Sequence, residues 1–430
     1  MFEHVFDLLG FSQVDPGATE AELVARITEL EQVKSAAAAG QARAAAALDA
    51  ARRAAESAAG VPAGKRGRGV ASEVALARRD SPARGGRHLG FAKALVHEMP
   101  HTLAALEHGA LSEWRATLIV RESACLDVED RRTLDRELCA EMDTLAGLGD
   151  TRITAAAQKI AYRLNARAVV ERAAQAPADR TVTIRPAPDT MTWVSILLPV
   201  AQGVGVYAAL RRTADTTVDG RSRGQVMADT AFERITATPA TTPAPIAVNV
   251  VISDRALLGG DTDPALVEGY GPIPAEVARQ WLTAALAEKN SLATLRRLYA
   301  NPTTGALVAM ESRARTFPRG LAEFINLRDQ TCRTPYCDAP IRHRDHITPA
   351  HHGGPTTATN GQGLCERCNY VKESPGWRVT AHDENGVHTT EYITPTDARY
   401  RSVAPPIYQR FDISEIEDAI GVRLVYHHAA

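Results

Sequence analysis

Lysine is nearly missing from this chain: Lys34, Lys65, Lys93, Lys159, Lys289 and Lys372 are all it has, and arginine supplies the rest of its 49 basic residues. Arginine suits phosphate recognition, yet an arginine- and alanine-rich composition arises as readily from GC-rich coding, so the bias names no partner. The 51 acidic residues leave a net charge of −2, which excludes capture of a polyanion by bulk charge. An anionic partner has to be met by a local patch. Aromatic residues make up only 5% of the chain while alanine is abundant, which disfavours a large β-sandwich and favours helices.

Long apolar runs are scarce as well. The N-terminus, "MFEHVFDLLGFSQVDPG", carries acids where a signal peptide carries a basic region. The best membrane candidate, "MTWVSILLPVAQGVGVYAAL" (Met191–Leu210), is interrupted by Pro199, Gln202, Gly203 and Gly205 and reads as a buried strand followed by a helix. A cytoplasmic protein without a membrane segment is expected. Cysteine is limited to six residues. Cys125 and Cys139 fall in a helical stretch, about 21 Å apart along one helix, too far for a disulfide within it, and read as buried thiols. The other four crowd into Cys332–Cys368.

At 430 residues the chain has room for two or three domains and a sizeable core. Residues 1–60 read as an N-terminal helical segment, Ala-rich and punctuated by charge. Residues 61–90 turn glycine-rich and basic and read as a linker. Residues 91–300 read as a mainly helical domain with short β-like runs, "RTVTIRPAP" and "IAVNVVISDRALLG", and a Thr/Pro-rich connection. "LRRLYANPTTGALVAMES" reads as strand–turn–strand leading into the cysteines. A small module spans 301–378, and 379–430 holds a hairpin around Asn385-Gly386 and a tail. The fold class is therefore α+β. No clean heptad is visible in the N-terminal helices, so the oligomeric state stays open.

"HEMPH" (His97–His101) matches the His-Glu-x-x-His pattern of zinc proteases, but that chemistry needs both histidines on one face of an unbroken helix. Pro100 disfavours helix just before it, so a helix boundary is expected there.

The chemistry concentrates in Arg328–Trp377, "RDQTCRTPYCDAPIRHRDHITPAHHGGPTTATNGQGLCERCNYVKESPGW". Cys332-x4-Cys337 and Cys365-x2-Cys368 are two close-spaced pairs separated by 27 residues. Pairs like these, brought together by a loop, build a tetrahedral four-cysteine zinc site, closed and therefore structural. Between and just after them stand Asp345, His346, Asn360, Asn369 and Lys372.

This combination resembles the HNH endonucleases in the variant whose third signature residue is asparagine. The match lies in "DHITP", "GGPTTATNGQGLC" and "CNYVKES". "GALSEWRA", "TIRPAP", "VEGYGPIP" and "NPTTGAL" resemble actinobacterial proteins that join a helical domain of unknown function, the DUF222 or 13E12-repeat type, to such a module. The tail departs from that family, with Asp397 and Ala398 where a Gly-His pair is common.

The resemblance implies a ββα-metal fold with one strand ending at His346, a loop carrying Asn360, and a helix carrying Cys368, Asn369 and Lys372. It implies that Asp345 and Asn369 bind one divalent ion, Mg²⁺ or Mn²⁺, that His346 is the general base, and that Asn360 ties the loop. Ligand type agrees independently: carboxylate and amide oxygens suit a hard cation, thiolates suit zinc, and a neutral imidazole suits proton removal near pH 7. The expected function is hydrolysis of phosphodiester bonds in DNA, double-stranded as the expected substrate. The alternative is a nucleic-acid-binding protein whose zinc module is only structural. Arg333, Arg344 and Lys372 are expected phosphate contacts, with Arg328 and Arg342 behind them. His343 reads as surface, and His351 and His352 as loop residues with a minor claim to a metal or phosphate contact.

Overall fold

The computed structural model describes residues 14–241, 250–253, 256–257, 261–267, 270–287, 311–312, 317–384 and 386–406. The strand–turn–strand reading up to Met310, including "NPTTGAL", falls outside them, as do most of "IAVNVVISDRALLG" and Asn385 of the expected turn. The chain divides into two compact units, 1–175 and 176–430.

The first unit is all helical. Helix α1 (Glu20–Ala58) is one continuous helix. It starts where the Thr19 hydroxyl accepts from Glu22 N at 3.3 Å and the Glu22 carboxylate accepts from Thr19 N at 2.7 Å, a reciprocal cap. Its buried residues, Ser35, Ala38, Ala42, Ala45 and Asp49, recur every three or four positions, and their small side chains let neighbouring helices approach closely. Around it lie α2 (Val70–Ala77), α3 (Pro82–Glu98), α4 (Pro100–Glu107), α5 (Glu113–Glu122), α6 (Val128–Cys139), α7 (Asp150–Leu164) and α8 (Ala166–Gln175). The core joins Leu95, Met99, Leu106, Ile119, Leu134 and Ile153.

The basic stretch 61–90 is part of this body and not a free linker. Val70, Ala75 and Leu76 are completely buried, and Arg78 pairs with Glu113 at 2.7 Å. Apolar residues inside the stretch, outweighed in composition by its glycines and arginines, supply the packing. "HEMPH" straddles a helix break: α3 ends at Glu98, and α4 begins at Pro100. The buried Asp135 carboxylate caps α4 by accepting from His101 N and Thr102 N at 2.8 and 2.7 Å. Cys139 is buried beside Thr102, while Cys125 is half-buried in the connection between α5 and α6, so the two do not share one helix. No helix among the described residues is long and apolar enough to cross a membrane.

The second unit opens with a hairpin of β1 (Thr181–Pro186) and β2 (Thr192–Leu197), followed by α9 (Val200–Thr216) and α10 (Arg223–Thr236). Strand and helix form where expected in Met191–Leu210, but the strand is exposed and not buried. Val182, Ile184, Val194 and Ile196 line one face of the hairpin, and no described residue covers it. Short strands β3 (Val250–Val251), β4 (Ala265–Val267) and β5 (Gly271–Ile273) form an antiparallel sheet beside α11 (Ala275–Ala287).

The rest of the unit carries the cysteines. Strand β6 (Glu311–Ser312) pairs with β8 (Thr356–Thr357), and β7 (His343–His346) pairs antiparallel with β9 (Gly361–Leu364). Helix α12 (Arg319–Asp329) precedes this ladder and α13 (Glu366–Lys372) follows it directly. A meander of β10 (Arg378–Glu384), β11 (Val387–Ile393) and β12 (Arg399–Val403) completes the module. Mainly helical in its first unit and ββα around the cysteines, the chain is α+β as its sequence implied.

Candidate active site

Two strands and a helix meet at Asp345 and His346. The β7–β9 register sets Asp345 opposite Gln362 and His346 opposite Gly361. Gly361 is required there, because a Cβ would lie 2.6 Å from Ile325 Cδ1 and 2.8 Å from Phe317 Cε1. Phe317, Leu321, Ile325 and Ala358 form a small core on that side. Phe317 also lies against the His346 imidazole, with ring centroids 4.5 Å apart and planes tilted by 37°.

His346 is 7% exposed, and its Nε2 lies 2.9 Å from Thr356 Oγ1. Burial holds its pKa below the usual histidine range; the Asp345 carboxylate opposes that shift and the Lys372 ammonium adds to it. The ring is therefore neutral at pH 7, the form that can take a proton.

The loop between β7 and β9 is pinned by Asn360. Its Oδ1 accepts from Thr348 N at 2.8 Å, and its Nδ2 donates to Thr348 O at 3.0 Å and Pro355 O at 2.8 Å. Its own carbonyl accepts from Ile347 N at 2.7 Å, next to His346. Gly354 completes the turn, since a Cβ there would sit 1.8 Å from Thr348 O. One side chain thus satisfies three backbone groups of a loop that makes few ladder bonds of its own.

Helix α13 faces the strand end. Lys372 is 7% exposed, and its ammonium meets Asp345 Oδ2 at 2.7 Å, His346 O at 3.0 Å and the Glu373 carboxylate. Asn369 stands three residues earlier, on the same side of the helix. Its Oδ1 is buried without a hydrogen-bond partner among the described residues. A buried acceptor left in that state is costly unless a cation or water completes it. The Asp345 side chain keeps 31% exposure. A half-open carboxylate and an orphaned amide oxygen are a donor set that fits one hard divalent ion.

The cysteines come together as their spacing predicts. The Sγ atoms of Cys332, Cys337, Cys365 and Cys368 all lie within 4.8 Å of one another, and no other such ligand cluster occurs among the described residues. Cys365 caps α13, its Sγ accepting from Cys368 N at 3.5 Å. Four crowded thiols cannot all ionise alone: hydrogen bonds from Cys332, Cys337 and Cys368 pull the Cys365 thiol far down, while Cys368 is pushed far up. A soft-accepting dication lets all four become thiolates, so the cluster can hold a metal such as zinc.

The remaining expected residues divide. Arg344 is exposed, with Nε donating to Asn326 Oδ1 at 2.8 Å, and Arg342 is exposed too. Arg333 is 2% exposed and donates to His388 O and Ser402 O at 3.2 and 2.8 Å, which makes it an internal strut and corrects its reading as a phosphate contact. The same correction applies to Lys372, whose charge is spent inside the protein, and to Arg328. His343 is half-buried near Tyr370, and His351 and His352 are exposed with rings 4.2 Å apart.

Sequence reasoning missed the buried Arg328–Asp329 pair. Arg328 donates to Asp329 and to the carbonyls of Ala358 and Gly361 at 2.5 and 2.7 Å; Asp329 accepts from Gly363 N at 2.7 Å. The pair welds α12 to the Asn360 loop. It also missed Phe317, Thr356 and His388. His388 is buried with Nε2 2.9 Å from Thr359 O, and burial, with help from Arg328, pushes its pKa down to about 4. The adjacent "RD" before Cys332 was the one visible sign, since opposite charges side by side can be buried only as a pair.

Residues 332–374 match the HNH endonuclease family, and residues 27–329 match the domain of unknown function DUF222. The uncharacterized protein Rv3776 of Mycobacterium tuberculosis is 27% identical over 191 residues, which cover 36% of this chain and 36% of that protein. The chain thus spans little more than a third of the curated relative it matches. No solved structure matches it. The HNH domain supports nuclease-type activity and nucleic-acid binding in general. With 27–329 matched to one family and 332–374 to the other, the chain belongs to the DUF222 family and carries an HNH endonuclease domain after the DUF222 region.

Proposed function

We propose that this chain is a metal-dependent endonuclease that hydrolyses phosphodiester bonds of double-stranded DNA, with His346 as general base. The observation that carries the reading is His346 itself: buried, neutral, stacked on Phe317, and set beside Asp345 where β7 meets α13. In this reading Nε2–H donates to Thr356 Oγ1, and Nδ1 is the proton acceptor. Water attacks phosphorus as its proton passes to Nδ1, a new P–O bond forms, and the leaving oxygen departs with the bonding pair and takes a proton from solvent water. Asp345 and Asn369 would hold one Mg²⁺ or Mn²⁺, which supplies charge stabilisation for the phosphoryl and leaving oxygens. Asn360 acts through the loop, fixing the backbone that follows His346. The four cysteines would hold zinc and anchor the start of α13. Arg344, exposed at the same strand, would meet phosphate without reading sequence.

The folding unit of this activity extends past the matched 332–374. Phe317 and Arg328 on one side, and His388 and Tyr392 on the other, bind directly to the loop and ladder. We place its boundaries near 311, where β6 pairs with β8, and 404. Incubation of the full chain with supercoiled plasmid and Mg²⁺ or Mn²⁺ tests the reading: nicking is expected, and Asp345→Ala is expected to abolish its dependence on ion concentration. A non-catalytic binder retards the plasmid and leaves it intact.

A further inference from the structure

Lys372 has all three ammonium protons placed on acceptors: Asp345, the His346 carbonyl and Glu373. It is buried, so its charge faces the strand end and not solvent. The Asp345 carboxylate it holds is 31% exposed, and Asn369 Oδ1, one turn before Lys372 on α13, is buried without a partner among the described residues. We propose that Lys372 is a built-in counter-cation of Asp345, a positioning residue that keeps divalent-ion affinity low until nucleic-acid phosphate arrives. This rests on the ion site proposed above.

Two opposed effects decide the sign. The lysine orients Asp345, which favours ion binding by fixing one oxygen and leaving the other free. It also places a positive charge on the same carboxylate that a dication must share. Charge repulsion between cations sharing one ligand, in a partly buried site, outweighs the modest gain from orienting a short side chain. The Asp345–Lys372–Glu373 cluster carries one net negative charge, and without the ammonium it carries two. Arg344 lies on the opposite strand face and is engaged with Asn326. A phosphate oxygen brings the missing negative charge, so ion and substrate fill the site together.

The test is Mn²⁺ binding to the full, zinc-loaded chain, read by electron paramagnetic resonance of free Mn²⁺ without DNA. Lys372→Gln, which keeps hydrogen-bond donors and loses the charge, and Lys372→Met are both expected to bind Mn²⁺ at least tenfold tighter than the natural chain, while Lys372→Arg binds as weakly. In a His346→Ala background, which prevents cleavage, a short DNA duplex is expected to tighten Mn²⁺ binding by a similar factor, and by much less when Lys372→Gln is added. Equal or weaker binding by Lys372→Gln overturns the proposal, as does a duplex that leaves Mn²⁺ affinity unchanged. Asp345→Asn separates the two levels: if it leaves Mn²⁺ binding intact in the Lys372→Gln chain, the ion site itself is wrong. Zinc content of each variant reports the fold, and Gln serves if Met does not fold.

Discussion

Replacing Asn360 by alanine should loosen the active-site loop by an amount the structure allows to be worked out. The side chain makes three hydrogen bonds to backbone groups, with Thr348 N, Thr348 O and Pro355 O, and is 9% exposed. Each contributes about 1 kcal/mol net once water reaches the freed backbone groups, so the loss is about 3 kcal/mol. Asn360→Asp should be worse in kind. Oδ1 still accepts from Thr348 N, but the second carboxylate oxygen then faces two carbonyl oxygens at the positions Nδ2 now bonds. The full chain holds more than one folding unit, so a global melting temperature mixes them. Release of zinc to a chromogenic chelator during urea titration reports on this module alone. Asn360→Ala should move that midpoint down by the urea equivalent of about 3 kcal/mol, and plasmid nicking should fall as the His346 backbone loses its anchor. A midpoint and a nicking rate both unchanged would refute the argument that this side chain holds the loop.

Other outcomes follow from the same geometry. His388 is neutral when folded, with its pKa pushed down to about 4 against an ordinary value near 6.5. The unfolded chain therefore takes up its proton first, and stability present above pH 6.5 is lost as pH falls toward 4, by about 3 kcal/mol at most. Zinc-release midpoints between pH 7.5 and 5 should show that slope, and His388→Gln, which keeps a donor for Thr359 O, should flatten it. Arg344→Ala should weaken DNA binding and reduce the salt dependence of log K by about one. Arg333→Ala should leave that slope alone and lower the zinc-release midpoint instead, by about 2 kcal/mol, because His388 O and Ser402 O lose a buried donor. Atomic absorption should find about one zinc per chain in the natural protein and well below that in Cys365→Ser.

The site was legible in the sequence where chemistry constrains spacing. Four thiols that must share one ion announce themselves as pairs, and Cys332, Cys337, Cys365 and Cys368 do converge. Asp345-His346, Asn360 and Asn369 stood out only through the resemblance to the HNH endonucleases; the structure has β7 ending at His346 and Asn369 on α13. Charge was less informative, because a basic side chain's address depends on what surrounds it in space. Arg328, Arg333 and Lys372 all look like phosphate contacts in one dimension, and all three are buried against carboxylates or carbonyls brought from elsewhere in the chain. Phe317 and His388 could not be read at all, since each reaches the loop across a large separation in sequence. In the helical unit, the alanine-rich composition pointed to the helix that α1 forms, but glycines and arginines masked the core residues of 61–90. Exposure of the β1–β2 hairpin was likewise invisible, because alternation marks an apolar face without saying what covers it.

The central claim is that His346 takes the proton from water. The full chain and its His346→Ala variant, matched for zinc content, can be compared for nicking of supercoiled plasmid in Mg²⁺ and in Mn²⁺. Loss of a positioned general base predicts a rate lower by about 100-fold or more with zinc unchanged. Nicking by the variant at the natural rate would contradict the account.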